Sequence, residues 1–103
     1  MKTVTKKDLA KQTAKFLNEK YYTTNKIVDG VFSSLRDIIT GAKDELRIEI
    51  RDFGVFEVKK TNPKPRARNP KTGETIFVPA RKKVHFKAGK KLKEVLKKPL
   101  KEE

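Results

Sequence analysis

Ala67-Arg68-Asn69-Pro70-Lys71-Thr72-Gly73 stands in the middle of a stretch, Lys59 to Val84, that carries the turn chemistry of a hairpin. Asn-Pro initiates a turn, and the later glycine supplies a permissive backbone. The rising side holds Lys59, Lys60, Lys64, Arg66 and Arg68 with Pro63 and Pro65, and its only other apolar side chain is Ala67. On the return, Thr75 to Val84 places Ile76 and Val78 before Pro79, and Arg81-Lys82-Lys83 restores the charge. The pattern predicts a long β-hairpin arm over 59–80 whose outer half has no hydrophobic face. An isolated two-stranded ribbon is marginal in water, so that half is expected to be ordered by a partner.

Working outward, the sequence changes period on either side of the arm. Leu46, Ile48 and Ile50 alternate with Arg47, Glu49 and Arg51 as in a half-buried strand; Asp52-Phe53-Gly54 is a tight turn; Val55, Phe56 and Val58 continue a second strand. Phe86 returns the chain to the core, giving a sheet core over 46–58 and 76–86. Upstream, residues 1–42 are helical. A first helix runs from Lys6 to Leu17 behind the cap Thr5, with Asp8 completing a variant capping box. A second runs from about Thr24 to Thr40 behind the cap Thr23, with a wide stripe of Ile27, Val28, Val31, Phe32, Leu35, Ile38 and Ile39, and Gly41 is placed to stop it. Downstream, a short helix over 89–98 points Leu92, Val95 and Leu96 inward, and 99–103 is a tail. The expected class is α+β, a single domain over 1–103: a helical base and a three-stranded antiparallel sheet extended into a β-ribbon arm.

Composition narrows the function. The 103 residues hold 27 Lys and Arg against 13 Asp and Glu, a formal net charge of +14. Such an excess calls for an anionic partner, nucleic acid first and an anionic membrane surface second. With no cysteine and one histidine, His85, neither a disulfide nor a Cys- or His-based metal site is available. No cofactor or small-molecule substrate is expected. Glu45, Glu49 and Asp52 are the nearest carboxylates in sequence, but they lie among arginines and read as surface ion-pair partners, so no catalytic activity is expected. No apolar run is long enough for a membrane span. Met1-Lys2-Thr3-Val4-Thr5 lacks an apolar signal core, so the chain is expected to stay where it is made.

The core is thin for one chain. Its large apolar residues gather in the second helix, the first two strands and Phe86, while the arm buries nothing of its own. Pairing two such cores is the economical solution, and it sets two arms symmetrically; the alternative is a monomer with a disordered middle. At the arm's tip, Pro70 has nothing to bury against. A rigid apolar wedge between base steps is how minor-groove architectural proteins kink DNA, and Arg68 and Asn69 carry donors suited to the groove floor. Taken alone, the tip is also a sound hairpin turn in a solvated loop. Lys6 and Lys7 on the first helix and Lys90, Lys91 and Lys93 on the last would clamp phosphates if they flank the arms. A single-stranded RNA reader is disfavoured, because no aromatic stacking platform is evident.

Three segments, Gly54-Val55-Phe56, Arg68-Asn69-Pro70-Lys71-Thr72-Gly73 and Phe86-Lys87-Ala88-Gly89-Lys90-Lys91-Leu92-Lys93, together resemble the bacterial HU/IHF histone-like DNA-binding family, over a span from about Thr5 to Leu96. The resemblance implies an intertwined dimer, most simply a homodimer, with two ribbon arms embracing double-stranded DNA. It implies that Pro70 intercalates, that Arg66, Arg68, Asn69 and Lys71 line the minor groove, and that Lys6, Lys59, Lys82, Lys90 and Lys93 meet phosphates. Phe32, Leu35, Ile39, Phe53, Phe56 and Phe86 would form the shared core. The implied role is a non-catalytic architectural protein of the bacterial cytoplasm and nucleoid that bends duplex DNA with low sequence specificity and helps compact it; the alternative is an IHF-like factor that prefers sites through deformability. Three features depart from the family pattern, the first being a link between the first two helices about three residues longer than is usual. Asp52 stands where glycine is common, a position Asp tolerates in the left-handed conformation. Pro63 and Pro65 cannot donate to a ladder, so a bulge or an unpaired stretch is expected on the rising strand.

Overall fold

The computed structural model describes residues 1–100, the side chains of Pro65 and Ala67 excepted; the end of the expected tail, residues 101–103, lies outside the described residues. The chain divides into two compact units, Met1–Gly41 and the part from Ala42 onward.

The first unit is a pair of helices, α1 (Lys6–Leu17) and α2 (Tyr21–Gly41). The capping box at the start of α1 is complete. The Asp8 amide donates to Thr5 Oγ1 at 3.3 Å, and the Thr5 amide donates to Asp8 Oδ2 at 3.0 Å. Being hydrogen-bonded by the Thr5 backbone holds the Asp8 carboxyl below the usual aspartate range. Asn18 closes α1 in the left-handed conformation at φ 54°, and its amide reaches back to Ala14 and Lys15. That single residue turns the chain, and α2 starts at Tyr21 rather than at the expected Thr24. Thr23 is therefore not a cap. Both threonines lie inside the first turn, where the Thr24 hydroxyl donates to the Lys20 carbonyl at 2.9 Å. The residues buried on the two helices are small, Ala10, Ala14, Thr24 and Val28. The larger residues of the α2 stripe are not covered: Ile27 is 62% exposed and Val31 58%, and Phe32 and Ile38 are exposed too.

The second unit holds a three-stranded antiparallel sheet in the order β1 (Leu46–Ile50), β2 (Gly54–Lys60), β5 (Lys82–Ala88), and a separate two-stranded ribbon of β3 (Lys64–Arg68) and β4 (Thr75–Val78). The helix α3 (Lys90–Leu96) follows. The register pairs Ile48 with Phe56 and Phe56 with Phe86, and likewise Leu46 with Val58 and Val58 with Val84. Side chains alternate across a sheet, so these residues share one apolar face. Val58 is its most buried member. The Phe86 ring lies 4.9 Å from Phe56 and 5.3 Å from Phe53, centroid to centroid, in tilted contacts.

The β1–β2 turn takes Asp52 into the left-handed region at φ 63°, as its side chain allows. A Phe53 amide bond to the Ile50 carbonyl and a Gly89 amide bond to the Phe53 carbonyl fix it between the sheet and α3. The returning strand is split in two by residues 79–81, and the rising strand by 61–63. The two breaks face each other. The Thr61 amide donates to the Arg81 carbonyl at 2.7 Å, and the Arg81 amide donates to Thr61 Oγ1 at 2.9 Å. Beyond the break the ribbon pairs Lys64 with Val78 and Ala67 with Ile76, a register shift that inserts one extra residue on β3. A bulge or an unpaired stretch was the expectation from the prolines, and the rising strand has both. On α3, Val95 and Leu96 were expected to face inward but are exposed, because a helix of under two turns at the chain's end finds no apolar surface to cover both. Among the described residues no helix is long and apolar enough to cross a membrane.

Gly54 is the tightest point of the sheet. A Cβ there would stand 2.5 Å from the Lys87 carbonyl oxygen and 2.7 Å from the Phe86 ring. Gly54→Ala is expected to lower stability by about 1–3 kcal/mol, the range for forced overpacking, read as a lower urea midpoint by circular dichroism. An unchanged midpoint would show that β2 and β5 separate at no cost.

Candidate nucleic-acid interface

The tip of the ribbon is a compact hydrogen-bonded turn. The Gly73 amide donates to the Asn69 carbonyl at 2.7 Å and the Asn69 amide to the Glu74 carbonyl at 2.8 Å. Asn69 Oδ1 accepts from the Lys71 amide at 2.9 Å, and Thr72 Oγ1 accepts from the Glu74 amide at 3.3 Å. Gly73 sits at φ 73°, where a side chain would be strained. This turn leaves Pro70 exposed at the apex, with Arg68 and Lys71 exposed on either side. Because the Asx turn uses only Oδ1, the two Nδ2–H donors of Asn69 remain for a ligand. Arg66 is exposed lower on the same strand.

The second basic surface is the polar face of the sheet. Register places Arg47, Glu57 and His85 in one row, with Lys59 and Lys83 in the row on one side of it and Lys87 in the row on the other, all opposite the apolar face. Glu57 anchors this face. Its Oε1 lies 2.9 Å from Lys87 Nζ and 3.8 Å from Lys59 Nζ, and its Oε2 lies 4.0 Å from Arg47 Nη2. The close Lys87 ammonium is the main reason the Glu57 carboxyl is held below the usual glutamate range; partial burial opposes it, and Lys59 and Arg47 add to it.

The expected phosphate contacts fall in three places. Lys90 and Lys93 are exposed on α3, and Lys59 is exposed on the polar sheet face. Lys6, on α1, is paired with Asp29 of α2 at 2.7 Å. Lys82 lies on the other side of the sheet, in the row of Val84 and Phe86, and its ammonium donates to the Ala42 carbonyl at 2.8 Å. Sequence reasoning did not single out Lys83, Lys87 or Arg47. The usable signal was the strand period: counting by two from Phe86 puts Lys82 with the apolar residues and Lys83, His85 and Lys87 on the opposite face. The core aromatics Phe53, Phe56 and Phe86 are assembled, but Phe53, Phe86 and Phe32 remain partly exposed in the single chain, and Leu35 and Ile39 are half-buried.

The lowered Glu57 carboxyl links folding to pH. A carboxyl held below its unfolded value contributes stability that is present above that value and is lost as pH falls through the lowered one. Carbon-detected NMR titration should show Glu57 titrating below ordinary glutamate, and Lys87→Met should move it up. A titration unaffected by Lys87→Met would remove Lys87 as the cause.

Comparison with known proteins gives this geometry a context. The sequence profile of the family described as bacterial DNA-binding protein matches residues 4–97. Integration host factor subunit alpha of Bordetella pertussis is 37% identical over 98 residues, covering 95% of this chain and 83% of that protein. The same subunit of Psychrobacter cryohalolentis is 35% identical, covering 91% of each chain. Integration host factor subunit beta of Bordetella petrii is 52% identical over a shorter stretch of 48 residues, 47% of this chain and 40% of that one. Among solved structures, an Anabaena HU–DNA cocrystal structure superposes with a TM-score of 0.79 at 22% identity, covering 93% of this chain and all of that one, which shows the shared fold. A profile match over nearly the whole chain, joined to relatives of this identity and coverage, makes the protein a member of the bacterial DNA-binding protein family, the HU/IHF family.

Proposed function

We propose that two copies of the chain pair through the exposed stripe of α2 and the Phe53–Phe56–Phe86 cluster, and that their ribbons embrace duplex DNA in the minor groove and bend it. The observation that carries this is the tip: a proline exposed at the apex of a locally hydrogen-bonded turn, beside Arg68, Asn69 and Lys71, on a ribbon none of whose described side chains is fully buried. Pro70 acts as the wedge between base steps, and Arg66, Arg68, Asn69 and Lys71 contact the groove. Lys59, Lys90 and Lys93 meet phosphates. Lys6 and Lys82 reach them only by exchanging Asp29 and the Ala42 carbonyl for a phosphate oxygen. The role is architectural and non-catalytic, carried out on the nucleoid in the bacterial cytoplasm.

In the leading reading, binding has low sequence specificity and serves compaction. The second reading is a site-preferring bender that recognises deformable steps; it draws support from relatives that are subunits of integration host factor. Those names, one alpha and one beta, also make a heterodimer a reading alongside the homodimer. Competition between one duplex and its scrambled counterparts separates the specificity readings: a large affinity ratio favours the second and overturns the first.

The electrostatic mechanism predicts a linear fall of log K with log salt concentration. Contacts to six to ten phosphates would cost roughly 10³- to 10⁵-fold between about 50 and 200 mM salt. A flat response in fluorescence anisotropy would overturn phosphate-driven binding. Pro70→Ala should reduce the bend, measured by FRET between duplex ends, more than it reduces affinity. Removing the wedge also removes the unstacking cost of a few kcal/mol per step, and the phosphate contacts stay. Parallel losses of bend and affinity would contradict the wedge.

A further inference from the structure

We propose that Phe77 is a second DNA-contacting side chain of the arm, its ring lying against the deoxyribose wall of the minor groove about two nucleotides from the position of Arg68. This rests on the duplex-binding reading above.

Phe77 is 64% exposed in the middle of β4. A single exposed apolar residue is ordinary on a protein surface, but this one has an unusual setting. Its neighbours Ile76 and Val78 lie on the other side of the strand, so β4 is apolar on both faces. A two-stranded ribbon needs one apolar face at most. Register then fixes which face Phe77 occupies. Arg68 pairs directly with Thr75, and directly paired residues project to the same side. Phe77 is two residues on from Thr75 and shares that side, about 7 Å along the ribbon from the Arg68 position. The rise per nucleotide is about 3.4 Å, so the ring falls two steps from where the guanidinium reads the groove.

Charge chooses the occupant. Arg68 shares this face, Arg66, Lys71 and, on the opposite face, Lys64 belong to the same short ribbon, and among the described residues none of these four forms an ion pair. A second cationic arm would be repelled from it. A ligand with closely spaced anions and apolar faces between them fits, and the sugar-phosphate wall of a groove has that character. The ring would displace water from the sugar while the neighbouring cations displace counterions from the phosphates.

The two contributions separate by their salt dependence. Counterion release sets the slope of log K against log salt; an uncharged contact shifts the line without tilting it. Anisotropy titrations of the unchanged chain and of Phe77→Thr, which keeps a strand-compatible side chain, should give parallel lines, with the variant weaker by about tenfold, or ~1.4 kcal/mol, at every salt concentration. The chain has no tryptophan, so Phe77→Trp installs a single indole at the same place. Duplex DNA should quench its emission and shield it from acrylamide. Equal affinity of Phe77→Thr and the unchanged chain, or an indole indifferent to DNA, would overturn the contact. So would a changed slope, or a loss of self-association in sedimentation caused by Phe77→Thr, which would make the ring a contact between protein copies. If the unchanged chain itself fails to bind duplex, the parent reading falls instead, and the two failures are told apart by that control.

Discussion

The pairing of β2 with β5 is the constraint on which the rest of the second unit depends. Gly54 lies against the Phe86 ring and the Lys87 carbonyl with no room for a Cβ, which fixes where the two strands meet. A slip of one residue would flip the alternation of β5. Phe86 would leave the aromatic cluster, and Lys87 would replace it in the apolar layer. The same register that buries Val58 therefore also lays Lys83, His85 and Lys87 beside Lys59 and Glu57 on the opposite face. Core and cationic surface are two consequences of one alignment, and a packing defect at Gly54 would reach the charge pattern as well.

Charge is divided between body and arm in a way that follows from where the carboxylates lie. On the body, Asp29 holds Lys6, Glu57 holds Lys87 and Lys59, Asp44 holds Lys60, and Asp52 holds Lys91. Exposed pairs of this kind contribute little to stability, but they hold each ammonium in a defined place and lower the field it presents. The ribbon has one carboxylate, Glu74, against Lys64, Arg66, Arg68 and Lys71. Among the described residues the ribbon cations form no ion pair, Lys90 and Lys93 stand exposed on α3, and Lys6 and Lys82 can meet a polyanion only by giving up Asp29 and the Ala42 carbonyl.

Much of this was legible in the sequence because it rests on local chemistry. Thr5 with Asp8 specifies the start of α1, Asp52 tolerates its left-handed turn, and Pro63 and Pro65 announce the interruption of the ladder; each acts through its own backbone preference. The errors arose where tertiary context or strand parity decides. Thr23 and Thr24 look like caps, yet Asn18 turns the chain so early that Tyr21 opens α2 and Thr24 lies buried inside its first turn. Lys82 reads as one more arm cation until Phe86 fixes its side of the sheet. Val95 and Leu96 have the spacing of an inward face, but spacing cannot say whether the surface they would cover belongs to the same chain.

The arm combines a stiff end with a compliant stalk, and that combination bears on how a wedge could work. Its tip closes on itself through the backbone bonds of Asn69 and Gly73 and the side chains of Asn69 and Thr72, so Pro70 keeps its presentation without help from the strands. The strands below have a broken ladder at 61–63 and 79–81 and a register shift between Lys64 and Ala67. Fewer ladder bonds resist bending there, and Thr61 with Arg81 supplies the main link across the break. A rigid ribbon would carry its tip along one path only, and would suit a single groove width. A compliant stalk lets the same tip follow grooves of different width, at an entropic cost when the arm becomes ordered. On the duplex-binding proposal, such a stalk would suit the low-specificity reading, whereas the site-preferring reading would draw its preference from the deformability of the DNA itself.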